Sequence, residues 1–187
     1  MKKALMIASV LLIAVISTAC INNMAVQELN NKAAEYMNKG DYEAAMSRLQ
    51  SSIDLDATMY ETYYNLGVAA ISAEKYEKAI EALNNGIKLN PNYSEFYYSL
   101  AIAESSLADE IIEEAQEENF DEHNDKKLEL KKEADELKMS SITNLEKYLN
   151  LKPDSEDKES IEALIEESKN FIENKNFTKN NVTKVIN

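Results

Sequence analysis

The sequence predicts an all-α fold, an array of antiparallel helix pairs, and three observations carry that prediction. Between Tyr60 and Tyr93, apolar and small residues recur at three-to-four spacing in two runs: Tyr63, Leu66, Gly67 and Ala70, then Tyr76, Ala79, Ile80, Leu83 and Ile87. That is the period at which one face of an α-helix returns. The second run stops at Leu89-Asn90, because Pro91 forces its predecessor out of the α region. The pattern also recurs along the chain. Tyr42, Ala45, Leu49 and Ile53 precede Tyr76, Ala79, Leu83 and Ile87 by 34 residues, and Tyr97, Leu100, Ala101 and Ala103 copy the first run downstream.

Gly67 and Ala79 fall where the two helices of the 60–93 unit would cross, and a close approach of two backbones needs residues without bulk. With Tyr63, Leu66-Gly67, Tyr76, Ala79 and Pro91 in place, this stretch resembles a tetratricopeptide repeat, a 34-residue helix–turn–helix unit. The resemblance implies an α-solenoid of about three such repeats closed by a C-terminal capping helix. One repeat cannot bury its own apolar face, so neighbours are required. Residues 26–59 supply one: Gly40-Asp41 makes the turn, while Lys32-Ala33 and Ala57 depart from the Leu-Gly and Pro of the pattern, as suits a terminal repeat. Residues 94–155 supply the other.

In chain order, residues 1–19 read as a targeting leader. Lys2 and Lys3 precede the apolar run Ala4–Ile16, which is short for a membrane span and right for a signal-peptide core. Ser17-Thr18-Ala19-Cys20 resembles a bacterial lipobox, which implies cleavage before Cys20 and acylation of its thiol. Ser17-x-Ala19 also reads as an ordinary signal-peptidase site that would leave a free thiol. The only cysteine of the chain falls at the lipidation position, and this favours the lipoprotein. Several acyl chains make anchoring stable where one is marginal. Residues 20–25 are then a tether reaching under ~20 Å at ~3.5 Å per residue, which keeps the array near the membrane. Ile21 after the cysteine favours the outer membrane in a cell that has one, by resemblance to lipoprotein sorting.

A single cysteine excludes an internal disulfide and a thiolate metal cluster, so the fold must rely on its core. The net charge of −14, about two units more negative once Lys2 and Lys3 are removed, repels phosphate backbones and excludes nucleic acid as a partner. Charged outer faces also simply keep such an array soluble.

The third repeat departs most from the frame. Its first helix begins at Ser94, which puts the small residue of the second helix at 113, yet the matching segment SSITNLEKYLNLKPD places Ser141 there. The difference, 141 − 113, is an insertion of 28 residues, spread over about 108–138. Both halves read as helix, so the repeat is expected to extend into a long helical hairpin about four turns, roughly 20 Å, beyond the array. Leu107, Ile111 and Ile112 would face Leu128, Ala134 and Leu137, with the tip at Phe120–Asp125. His123 lies in that tip among Glu118, Asp121, Glu122 and Asp125. As a calcium loop the run fails, since Lys126 and Lys132 stand where Gly and Glu are needed, and one His with mobile carboxylates makes a poor zinc site. It reads as a solvated loop, with no metal and no cofactor.

Residues 156–174 read as an amphipathic capping helix with Ile161, Leu164, Ile165, Ser168 and Ile172 inward, and 175–187 as a disordered tail. Asn176-Phe177-Thr178 and Asn181-Val182-Thr183 match a glycosylation pattern that a bacterial lipoprotein would rarely use.

No nucleophile with a base, metal set or phosphate loop emerges, so no enzymatic activity is expected. What remains is binding. The resemblance implies a concave groove lined by the second, fifth, ninth and twelfth positions of each first helix. Those are Gln27, Asn30, Ala34 and Met37; Glu61, Tyr64, Val68 and Ile71; and Glu95, Tyr98, Ile102 and Ser105. Of these, Asn30, Met37, Tyr64, Val68, Ile71, Tyr98 and Ile102 are the candidate contact residues. Tyr64 and Tyr98 offer large semi-polar surface of the kind enriched at interfaces, or else fill the space between neighbouring helices. The chaperone-tail version of this fold clamps a peptide carboxylate with Lys and Arg. Asn65 matches its Asn, but Glu95 and Ser99 stand at the cationic places, so such a ligand is disfavoured. The expected function is that of a monomeric, membrane-anchored adaptor whose groove holds a helix or extended segment of another envelope or periplasmic protein. A structural assembly factor working through the hairpin or self-association, and a surface lipoprotein binding host molecules, are the alternatives.

Overall fold

The computed structural model describes residues 23–117 and 125–185, and among these there are seven helices and no strand. The leader 1–19, Cys20 and the tip with Phe120 and His123 lie outside the described residues.

Helices α1 (23–38) and α2 (Tyr42–Leu55) form the first pair, α3 (Tyr60–Ser72) and α4 (Tyr76–Leu89) the second. The third comprises α5 (Ser94–Glu117) and α6 (Asp125–Leu151), and α7 (Lys158–Val185) follows. From α2 onward each helix packs on the next, and α3 also touches α5, so first helices of successive pairs are neighbours. This is the predicted α-solenoid. Helix α1 is already formed at residue 23, ahead of the expected 26, and the side chain of Gln27 donates to that of Asn23 at 2.9 Å.

The turn between α1 and α2 is built as the sequence suggests. Gly40 takes φ +74°, its N–H donates to the Met37 carbonyl and the Asp41 N–H to that of Tyr36. The Asp41 carboxylate then accepts from the Ala44 N–H at 3.1 Å and caps α2. The turn between α3 and α4 repeats the geometry, with Glu74 N–H donating to Ile71 and Lys75 N–H to Ala70. Here the left-handed residue is Glu74, φ +57°, in the place of glycine.

Small residues set the spacing of the array. Ala33, Ala45, Ala69, Ala70, Ala79, Ala82 and Ala103 fill one continuous core with Met46, Leu49 and Leu66. A Cβ on Gly67 would stand 2.5 Å from Leu83 Cγ, which bears out the close approach expected there. A second contact of this kind was not visible in the sequence. Gly86 of α4 faces the ring of Phe96 on α5, a wholly buried residue, and a Cβ there would overlap the ring. Phe96 is in turn held edge-on by Tyr60, Tyr64 and Tyr93.

The 28-residue insertion does extend α5 and α6 into a pair of long helices packed on one another. Leu107, Ala108, Ile111 and Ala134 are buried in the seam, flanked by Ile112, Leu130 and Leu137, and Tyr76 and Ile80 of α4 join them. Leu128, expected in this seam, is 55% exposed. The seam of α6 runs through Leu130, Ala134, Leu137 and Ser141, and a residue two positions from Leu130 points about 200° away at 100° per residue. Ion pairs cross between the arms from Lys138 to Asp109 (2.8 Å) and Lys126 to Glu114 (3.8 Å).

Helix α7 buries Ile161 and Ile165 against Ala101, Ile142, Leu145 and Tyr148, with Ile172 alongside. Leu164, read from the sequence as an inward residue, is 46% exposed instead. The backbone of 175–185, within the segment expected as a disordered tail, continues α7 to Val185; no Pro or Gly interrupts the chain after Pro153.

Candidate functional site

The inner helices α1, α3 and α5 carry the groove positions, and the structure gives them unequal roles. Asn30 is engaged within the array. Its Nδ2 lies 2.9 Å from the Val26 carbonyl, 2.9 Å from Ser52 Oγ and 3.3 Å from Thr62 Oγ1, and so ties α1 to α2 and α3. Its Oδ1 is buried without a donor. Met37 is half-buried against the alanine core. Tyr64 stands edge-to-face with Tyr93 (5.4 Å, 85°) and Phe96 (5.8 Å, 84°), so one flank of its ring joins the second pair to the third. Ile71 packs on the alanine core and on the cluster of Leu83, Phe96 and Leu100, and Val68 is half-buried.

Of the candidate contact residues Tyr98 is the exposed one, and Ile102 is half-buried beside it. Tyr98 is 39% exposed, its ring 5.3 Å from that of Tyr148 on α6. Together with Ile102 and Ser105 of α5, Leu145 of α6, and Leu164 and Ser168 of α7, it lines a cavity of about 140 Å³. The contribution of α7 was not anticipated. Ile161 and Ile165 bury against α5 and α6, so Leu164 and Ser168, one flank over, come to lie beside α5. A larger hollow of about 560 Å³ lies between α6 and α7 and is rimmed by Glu146, Asn150, Lys158 and Glu162. Leu149, Pro153 and Ile165 complete its walls; it is open to solvent, and no groove residue lines it.

Two charged pairs stand at the edge of the groove. Glu95 faces Lys152 Nζ at 3.4 Å and accepts from Ser94 Oγ at 2.9 Å. Partial burial pushes its carboxyl up, but its own backbone N–H, the Ser94 hydroxyl and Lys152 outweigh that and hold it below the ordinary range. Lys152 is itself raised, chiefly by Glu95, and lies 5.8 Å from the Tyr148 ring centroid. Lys138 is held by Asp109 and by Ser105 Oγ at 2.9 Å. Burial raises the Tyr93 hydroxyl, with Glu95, Tyr64, Tyr60 and Glu61 adding to the shift. Ser99, one of the cationic places of a carboxylate clamp, is buried.

Behind the groove, Glu104 is 6% exposed between α5 and α6. It accepts from Ser140 Oγ (2.7 Å) and Asn144 Nδ2 (2.8 Å), and burial raises its pKa because these two neutral donors only partly offset desolvation. Among the described residues no three His, Cys, Asp or Glu side chains are grouped to hold a metal ion, and no helix is long and apolar enough to cross a membrane.

Residues 29–59 and 60–93 each match a tetratricopeptide repeat model. No curated protein matches the chain. Among solved structures, the second tetratricopeptide domain of human RPAP3, in complex with an HSP70 peptide, superposes with TM-score 0.58 at 17% identity, over 78% of this chain and 98% of that one. The corresponding domain of Sgt2 from Aspergillus fumigatus gives 0.58 at 16%, over 81% of each chain. The type III secretion chaperone SycD of Yersinia enterocolitica, in complex with a peptide of the translocator YopD, gives 0.53 at 16%, over 80% and 93%. The chain therefore contains tetratricopeptide repeats and has the fold of such domains.

Proposed function

We propose that the chain is a protein-binding module, a monomeric lipoprotein tethered through Cys20 at the cell envelope, whose groove holds a segment of another envelope protein. The observation that carries this reading is the cavity between α5, α6 and α7, flanked by the exposed side chains of Tyr98 and Leu164. A repeat array buries its stacking faces against neighbours, and large apolar side chains left beside a cavity on the groove side are surface for another chain. The neighbouring structures that hold peptides lend support at the level of fold. Export and acylation rest on the leader and on Cys20, and the small number of residues between Cys20 and α1 keeps the array at the membrane surface.

A second reading has its own observation. Leu128 and Met139 are both exposed on α6, and eleven residues of helix bring them to nearly the same face. In this reading the hairpin is the working element. In-cell photo-crosslinking from positions 98 and 128 separates the two. A defined adduct from 98 that disappears with Leu164→Arg supports the groove. A partner captured from 128, with nothing but self-adducts from 98, overturns the groove in favour of the hairpin.

A further inference from the structure

The groove is uneven in charge. None of its positions on α1, α3 or α5 carries a cation, whereas Glu61 and Glu95 stand at the same position of successive repeats. The two cations at its edge come from α6 and the residue that follows it, and both are held internally, Lys138 on Asp109 and Lys152 on Glu95. Glu61, exposed on α3, enters no ion pair among the described residues; it raises the adjacent Tyr60 hydroxyl, chiefly through a hydrogen bond, and adds more weakly to the rise of Tyr93. Beside it the rings of Tyr60 and Tyr64 each approach that of Tyr93 at 5.4 Å. Lys152 shows how this surface holds an ammonium, between a glutamate and the face of a tyrosine. The aromatic corner of α3 offers a partner the same two elements at Glu61.

We infer that the occupant of the groove is a basic amphipathic segment of a partner protein. It seats a Lys or Arg side chain against Glu61 at the Tyr64–Tyr93 corner and inserts an aliphatic side chain into the cavity between Tyr98 and Leu164. This rests on the groove reading above. The cavity of about 140 Å³ suits one such side chain, since roughly 150 Å³ is enough to take benzene. An acidic segment would meet two groove carboxylates and a chain of net charge −14.

The test uses the full chain in detergent and three fluorescein-labelled peptides, read by anisotropy. One is built of three Lys-Ser-Ser-Leu units, the second has Glu for Lys, and the third has Ser for Leu. The first should bind, and Glu61→Lys should weaken it about tenfold or more. Glu77→Lys on the exposed face of α4, an equal change in charge, should weaken it less than about twofold. Equal losses from both reversals, equal binding of the peptide without leucine, or no binding by any peptide would overturn the inference. If the Glu peptide binds more tightly and Leu164→Arg abolishes it, the basic partner is wrong and the groove stands. If the Lys or Glu peptide binds but responds to neither Glu61→Lys nor Leu164→Arg, the groove reading falls with it.

Discussion

Gly86→Ala isolates the contact on which the second and third repeats stack. An alanine in a helix interior is favoured over glycine by ~1 kcal/mol, so propensity alone predicts stabilisation. The structure predicts the opposite. The new Cβ would overlap Cε1 and Cζ of Phe96, with Cδ1 at 3.2 Å, and the ring has nowhere to go. It is wholly buried, with Tyr64 and Tyr93 edge-on at 5.8 and 5.3 Å, so displacing it moves the aromatic cluster as a unit. Overpacking a tight core costs ~1–3 kcal/mol, and a wholly buried ring belongs at the upper end. Against the propensity gain the net loss is about 2 kcal/mol, or about 4–8 °C in Tm for a chain of this size. Thermal and urea unfolding of wild type, Gly86→Ala, Phe96→Leu and the double variant measure it. Phe96→Leu makes room, so the double variant should be more stable than the sum of the single losses by about 1 kcal/mol or more. A Tm raised by Gly86→Ala, or strict additivity, would refute the stacking argument.

Three further outcomes follow from the backbone and the buried carboxylate. Glu74→Gly should stabilise by about 1 kcal/mol, because Glu74 holds a left-handed φ that glycine adopts freely; Gly40→Ala should destabilise to a similar extent through strain alone, since its Cβ meets nothing. A Tm lowered by Glu74→Gly would count against it. Glu104 has a folded-state pKa raised above its unfolded one, so its contribution is fully present below the unfolded value and is lost as pH rises through the folded one. The stability of wild type relative to Glu104→Gln should therefore grow as pH falls from about 7 to about 4 in parallel urea titrations, and a difference that stays flat would show that Glu104 titrates normally.

Much of the fold is legible in the residues because the relevant forces are local or periodic. A three-to-four spacing of apolar residues, Gly40-Asp41 at one turn and Pro91 at another determine where helices start, stop and reverse. The 34-residue recurrence dictates that the pairs stack, and the 28-residue excess before Ser141 dictates that the third pair is long. Gly67 signalled its own close approach, since it stands on the apolar face of its run.

The tertiary structure decided what depends on partners distant in sequence. Gly86 is one position from the apolar Ile87 of α4, and only the docking of Phe96 gives it a steric role. Asn30 looks like a groove residue by its place in the frame, yet the hydroxyls of Ser52 and Thr62, from two other helices, take up its amide. Leu128 and Leu130 are equally apolar, and the seam chose Leu130 because Ala134, Leu137 and Ser141 already set its phase. The cavity under Tyr98 belongs to three helices at once. Periodicity tells a helix which face to bury, but which neighbour covers each flank, and what is left open between them, is settled only when the helices pack.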